Sequence, residues 1–120
     1  MITLTEENYL KAILAISLNT DGKVSTNAIA NEIGTSAASV SDMLKKLQDK
    51  KLIKYEKYKG VILSKKGESK AINILRKHRL WETFLVNKLA FSWGEVHDVA
   101  EQLEHIKSEE LVNRLDAFLG

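Results

Sequence analysis

The chain has 120 residues, 44% hydrophobic and 28% charged, with a formal net charge of +2, enough for one or two small units around an apolar core. It contains no cysteine, which excludes disulfides and thiolate metal ligation. No apolar run approaches the ~20 residues of a membrane span and no basic-then-apolar signal pattern opens the chain, so the expected compartment is the cytoplasm.

Thr5-Glu6-Glu7 predicts the start of a first helix, with Thr5 as the cap and the acids at the positive end of the helix dipole. Tyr9, Leu10, Ile13, Leu14 and Ile16 follow at helical spacing, and Asn19-Thr20-Asp21-Gly22 ends the run. Ser25 or Thr26 opens a short second helix through Ile29, Ala30 and Ile33, closed by Gly34. A third helix is expected from about Ala37 to Lys50, burying Val40, Leu44 and Leu47. Between Leu52 and Leu63 the pattern fits two short strands joined by a turn of Lys, Tyr and Gly. Ser64 then caps a long fourth helix reaching Val86 or Lys88. Ser92-Trp93-Gly94-Glu95 reads as a capping box for a fifth helix, and Ser108-Glu109-Glu110 starts a sixth that ends at Leu119.

Helix, turn, helix and hairpin in that order describe a winged helix-turn-helix. The expected fold is therefore mainly α, with an N-terminal winged helix-turn-helix in residues 1–72 and a helical domain in residues 73–120. In a winged helix the second helix of the motif enters the major groove. Its opening, Ser36, Ala37, Ala38, Ser39 and Ser41, suits that placement, because hydroxyls bond phosphates, alanines allow close approach, and the helix N-terminus attracts phosphate. Any one of these serines also serves as a simple cap. Asp42 opposes DNA by charge but can accept from a cytosine amino group. Lys45, Lys46, Lys54, Lys57 and Lys59 supply sequence-independent affinity. Residues 43–79 hold 13 of the 18 Lys/Arg and three acids, a local +10, whereas residues 80–120 hold three basic and eight acidic residues, a local −5. One surface for a polyanion and another for something else follow from that division. Double-stranded DNA is the expected partner.

The acidic part carries His97-Asp98-Val99-Ala100-Glu101-Gln102-Leu103-Glu104-His105. On a continuous helix His97, Glu101, Glu104 and His105 share a face. His78 and Glu82 stand at i and i+4 on the fourth helix. If the fourth and fifth helices pack together, all three histidines of the chain converge with three glutamates. Imidazole and carboxylate without thiolate suit Mn²⁺, Fe²⁺, Co²⁺, Ni²⁺ or Zn²⁺.

Arg76-Lys77-His78-Arg79-Leu80-Trp81-Glu82, Val96-His97-Asp98 and Glu101-Gln102-Leu103-Glu104-His105 resemble the diphtheria-toxin-repressor family of iron- and manganese-dependent repressors. So do Ser39-Val40-Ser41-Asp42-Met43-Leu44-Lys45-Lys46-Leu47 and Leu63-Ser64-Lys65-Lys66-Gly67, and the resemblance runs through nearly the whole chain. It implies a helical dimerisation domain after the winged helix, and a homodimer. Trp81, Phe84, Leu85, Leu89, Phe91 and Trp93 are candidates for that interface or for the core. It also implies a primary, activating metal site at Glu101, Glu104 and His105, with Asn8 from the first helix. An ancillary site at His78, Glu82 and His97 is implied as well. The implied function is Mn²⁺- or Fe²⁺-dependent repression at palindromic operator DNA to control metal homeostasis, with Co²⁺, Ni²⁺ and Zn²⁺ able to substitute in vitro. No membrane, small organic substrate or catalysis is expected. The implied mechanism is a population shift, in which metal fixes the separation of two recognition helices at roughly a multiple of one DNA turn, ~34 Å.

Three positions bear on the type of member this is. Asn8 stands where iron-type members have methionine and manganese-type members aspartate. Glu101 matches the manganese type, iron-type members having cysteine there, while Lys11 replaces a ligating glutamate of the manganese type. Many iron-type members also carry a third, SH3-like domain. Two other readings compete. A dimetal enzyme would use Glu-x-x-His from each of two helices, which Glu101-x-x-Glu104-His105 does not match. A winged-helix regulator of a non-metal signal would leave the His/Glu set without a purpose.

Overall fold

In a computed structural model of the chain, residues 2–56 and 60–120 are described. Among the described residues, six helices and two strands follow in the order α1 (Leu4–Asn19), α2 (Thr26–Ile33), α3 (Ala37–Asp49), β1 (Ile53–Glu56), β2 (Gly60–Leu63), α4 (Lys65–Leu89), α5 (Trp93–Leu103) and α6 (Glu109–Leu119). They form two compact units, Met1–Ile72 and Asn73–Gly120.

In the first unit, α1 starts two residues earlier than its acids suggest. Thr3, not Thr5, is the cap. Its Oγ1 accepts from Glu6 N at 3.1 Å while Thr3 N donates to Glu6 Oε1 at 2.8 Å, a reciprocal capping box that Thr-x-x-Glu encodes. Ser25 caps α2 by accepting from Ala28 N at 3.0 Å. Gly34 ends α2 at φ +84°, a left-handed turn whose N–H donates to Ala30 O, and Ser36 restarts the chain as the cap of α3. This is the helix-turn-helix. Leu10, Ile13, Ile29, Val40, Leu44, Leu47 and Leu52 are fully buried and hold the unit together, each contributing about 1.5–3 kcal/mol relative to exposure.

Strands β1 and β2 pair antiparallel with Ile53 opposite Leu63 and Glu56 opposite Gly60. The base of this wing is tied to the α1–α2 connection, where Val61 N donates to Val24 O at 3.0 Å. Gly60 makes that approach possible: at φ +79° any Cβ would run into the Val24 carbonyl. Ser64 caps α4, its Oγ accepting from Gly67 N and donating to Lys51 O. Glu6 also forms an ion pair with Lys50 at 2.7 Å, although the two are 44 positions apart. Burial pushes the Glu6 carboxyl up, but the hydrogen bonds from Lys50 and Thr3 outweigh it and leave it below the usual value.

The second unit is built on a core of Trp81 and Leu85 from α4, Val96 and Ala100 from α5 and Leu115 from α6, with Phe84, Phe91, Leu103 and Leu119 partly buried around it. Helix α4 extends to Leu89, slightly past its expected end. At the start of α5, Ser92 N donates to Glu95 Oε1 at 3.0 Å, and Ser108 caps α6 through Leu111 N. Helix α5 stops at Leu103, so Glu104 is its C-cap and His105 follows in a turn.

Candidate metal centre and nucleic-acid face

Val40, Leu44 and Leu47 form the inner row of α3 and are wholly buried. That commits the opposite side of the helix to solvent. Ser36, Ala37, Ala38, Ser39, Ser41, Asp42, Lys45 and Lys46 are all exposed, with Ala38, Asp42 and Lys45 following one another at i, i+4 and i+7 along the outer row. Ser36 is occupied as a cap: its Oγ accepts from Ser39 N at 3.1 Å and lies 3.0 Å from Ser39 Oγ. The helix N-terminus above it remains open to an anion. Lys54 is exposed on β1. Lys57 and Lys59 lie outside the described residues.

The histidines and glutamates gather where α4 meets α5. His78 Nε2 lies 3.2 Å from Glu82 Oε2, one turn on along α4. From α5, His97 Nδ1 lies 4.0 Å from the same oxygen, and its ring stands edge-on to His78 with centroids 4.9 Å apart. One donor atom each from His78, Glu82 and His97 fall within 4.8 Å of one another. An imidazole–carboxylate–imidazole set at this spacing fits a divalent transition ion. Glu101 extends the set, its Oε2 3.7 Å from His97 Nε2.

The side chains of Glu104 and His105 are buried, whereas those of His97 and Glu101 in the same segment are exposed. Glu104 is still helical, its N–H bonded to Ala100 O, and falls beside the buried Val96–Ala100 row of α5; its carboxylate is completely buried and meets His78 Nδ1 at 2.8 Å through Oε2. Its other oxygen lies 3.4 Å from His105 Nε2. The six residues thus form one chain of contacts with His78 in the middle. Asn8 sits on α1 in the first unit, and its buried Oδ1 has no hydrogen-bond partner among the described residues.

Lys77 is a buried neighbour of the cluster that sequence reasoning passed over. It is buried beside His78 on α4 and donates from Nζ to Ile106 O at 3.1 Å. Consecutive residues of α4 therefore grip the Glu104–Ile106 turn by a carboxylate and a carbonyl. A lysine in a basic run gives no local sign of such burial. Trp81 and Leu85 belong to the core, whereas Leu89 and Trp93 are exposed, as are Leu111 and Phe118 of α6.

Comparison with known proteins bears directly on this arrangement. Residues 1–61 match the N-terminal DNA-binding domain of iron-dependent repressors, and residues 64–120 match their metal-binding and dimerisation domain. The chain belongs to the iron-dependent repressor family. The resemblance read from its motifs and the expected winged-helix and helical architecture both hold. The iron-dependent repressor IdeR of Mycobacterium tuberculosis is 34% identical over 97% of this chain. The transcriptional regulator MntR of Listeria welshimeri is 34% identical over 96% of it and 80% of its own length. The structure of the manganese regulator SloR superposes with a TM-score of 0.84 at 45% identity, covering 95% of this chain. A manganese-dependent transcriptional repressor in complex with manganese gives 0.86 at 43%, covering 96% of this chain. The chain spans 50% of IdeR, 53% of SloR and 52% of the manganese-bound repressor. The family consists of metal-dependent transcriptional repressors with a DNA-binding and a dimerisation domain. No described helix is long and apolar enough to cross a membrane.

Proposed function

We propose that this chain is a Mn²⁺- or Fe²⁺-activated transcriptional repressor that binds palindromic operator DNA as a homodimer and controls metal-ion homeostasis in the cytoplasm. The observation that carries the reading is the convergence of His78, Glu82 and His97 donors within 4.8 Å in a chain whose α3 exposes a serine- and lysine-bearing face. Residues 1–72 are the DNA-reading part and residues 73–120 the metal-holding and dimerising part. His78, Glu82 and His97 would hold one ion; Glu101, Glu104 and His105 supply the ligands of a second. Asn8, with its buried amide oxygen lacking a hydrogen-bond partner among the described residues, is a further oxygen ligand.

When bound, a divalent cation supplies charge: it neutralises clustered carboxylates and fixes their side chains. The rest falls to the protein. Ser39, Ser41, Lys45 and Lys46 contact phosphates, Ala38 and Asp42 face base edges, and Lys57 and Lys59 of the wing are assigned to adjacent backbone. Exposed Leu89, Trp93, Leu111 and Phe118 supply apolar surface for the dimer. Metal strengthens DNA binding only by as much as the DNA-competent state holds it better. No residue is assigned a catalytic role.

The test is a fluorescence-anisotropy titration of apo-protein on sites selected from random DNA, anaerobically, with Mn²⁺, Fe²⁺, Zn²⁺ or chelator. A gain of tenfold or more with one ion, on the order of 1.4 kcal/mol of coupling, supports the reading and names the ion. Indifference to every ion overturns it in favour of a winged-helix regulator with a non-metal signal.

A further inference from the structure

The imidazole of His78 is engaged on both edges: Nε2 faces Glu82 at 3.2 Å and Nδ1 faces Glu104 at 2.8 Å. The first contact belongs to the His78, Glu82 and His97 set; the second reaches Glu104, whose far oxygen faces His105. One five-membered ring therefore joins the two groups of candidate ligands through close contacts on both edges, beside the longer 3.7 Å contact of His97 with Glu101. A neutral imidazole carries a single N–H, and the nitrogen that gives its lone pair to a metal dictates that the other holds the proton. With Nε2 as ligand, Nδ1–H donates to Glu104. In the opposite tautomer the Nδ1 lone pair would face a fully buried carboxylate oxygen at 2.8 Å, a repulsive contact.

We infer that His78 is a positioning residue as well as a ligand: use of its Nε2 in the outer set commits Nδ1–H to Glu104 and holds that carboxylate turned toward His105. The inference rests on the metal-binding reading above and adds the route by which two ions help each other. Helix α4 reinforces it, since Lys77 fixes the Ile106 carbonyl and leaves the Glu104–Ile106 turn little freedom to swing away. Outer hydrogen-bond partners of this kind commonly change metal affinity about 10- to 100-fold. Occupation of the outer set therefore favours occupation at Glu104 and His105, and reciprocity requires the reverse by the same factor.

The experiment uses the full chain with histidine ¹⁵N-labelled, titrated with Cd²⁺ and followed by long-range ¹H–¹⁵N correlation, alongside calorimetric Mn²⁺ titration of wild type, His97→Ala and Glu104→Gln. His97 is largely exposed, so its removal spares the fold, and Glu104→Gln keeps the shape of the buried group. The expected spectrum shows His78 bound through Nε2 and protonated at Nδ1. The expected calorimetry shows His97→Ala weakening the remaining site about tenfold, and Glu104→Gln weakening the outer site by a similar factor. Two ions bound with the remaining affinity unchanged by His97→Ala, or His78 bound through Nδ1, overturn the coupling and leave the repressor reading standing. If neither ion binds, both readings fall together.

Discussion

The outer face of α3 and the histidine–glutamate cluster, the two candidate functional regions, are built in opposite ways. On α3 the rows are separate: Val40, Leu44 and Leu47 build the core while Ala38, Asp42 and Lys45 meet solvent. In the cluster the same side chain does both jobs, since His78 and Glu104 are buried structural partners and also candidate ligands. The difference teaches where each property can change. Outer residues of α3 such as Ala38, Asp42 and Lys45 can be exchanged at little cost to folding, so whatever that face contacts is free to change. Changing His78 or Glu104 disturbs packing and affinity at once.

The comparison predicts a graded set of effects. The largest is on the inner row: Leu44→Ala should cost about 3 kcal/mol of stability in a urea melt, from lost burial and the cavity left behind. A cost under about 1 kcal/mol would mean the rows are not separate. Next comes Glu104→Gln, which should abolish the metal response of DNA affinity, a loss of tenfold or more, on the order of 1.4 kcal/mol, while circular dichroism stays unchanged. A retained response would remove Glu104 from the ligands.

Smaller, and confined to the first unit, is Lys50→Met. The ion pair with buried Glu6 is partly open to solvent, so the expected loss at neutral pH is about 1 kcal/mol. Because the folded Glu6 carboxyl sits below its ordinary value of 4.5, its contribution to the wild type is full above that pH and disappears as pH falls through the folded value. Stability curves of the wild type and Glu6→Gln that run parallel from pH 7 to pH 3 would contradict this. The smallest effect is Lys45→Ala, expected to lower DNA affinity severalfold at moderate salt. The same change should reduce the salt slope by about one and move stability by less than about 0.5 kcal/mol. An unchanged slope would place Lys45 away from phosphate.

Local periodicity made most of the fold legible. Val40, Leu44 and Leu47 disclose the buried row of α3, Gly34 the turn before it, and Ser64, Ser92 and Ser108 the later helix starts. The pairs His78–Glu82 and His97–Glu101 were legible for the same reason, being one helical turn apart. Illegible were contacts that local spacing does not encode. Lys50 reaches Glu6 across 44 positions and Lys77 reaches Ile106 across 29. The burial of Glu104 depends on its place beside the Val96–Ala100 row and on the His78 ring packed against it, which its spacing along the chain does not disclose. Thr3 rather than Thr5 is the cap of α1 because only Thr3 has a glutamate three positions on whose side chain returns to its own backbone N–H.

The buried lysine beside His78 bears on how the basic stretch should be counted. Of the 13 Lys/Arg in residues 43–79, Lys77 is spent on a backbone carbonyl, Lys50 on Glu6 and Arg76 on Asp116. These charges enter any composition-based tally, yet each is committed within its own unit of the protein. Counterion release registers phosphates neutralised, not lysines present. The electrostatic reach of this stretch is therefore shorter than its sequence advertises.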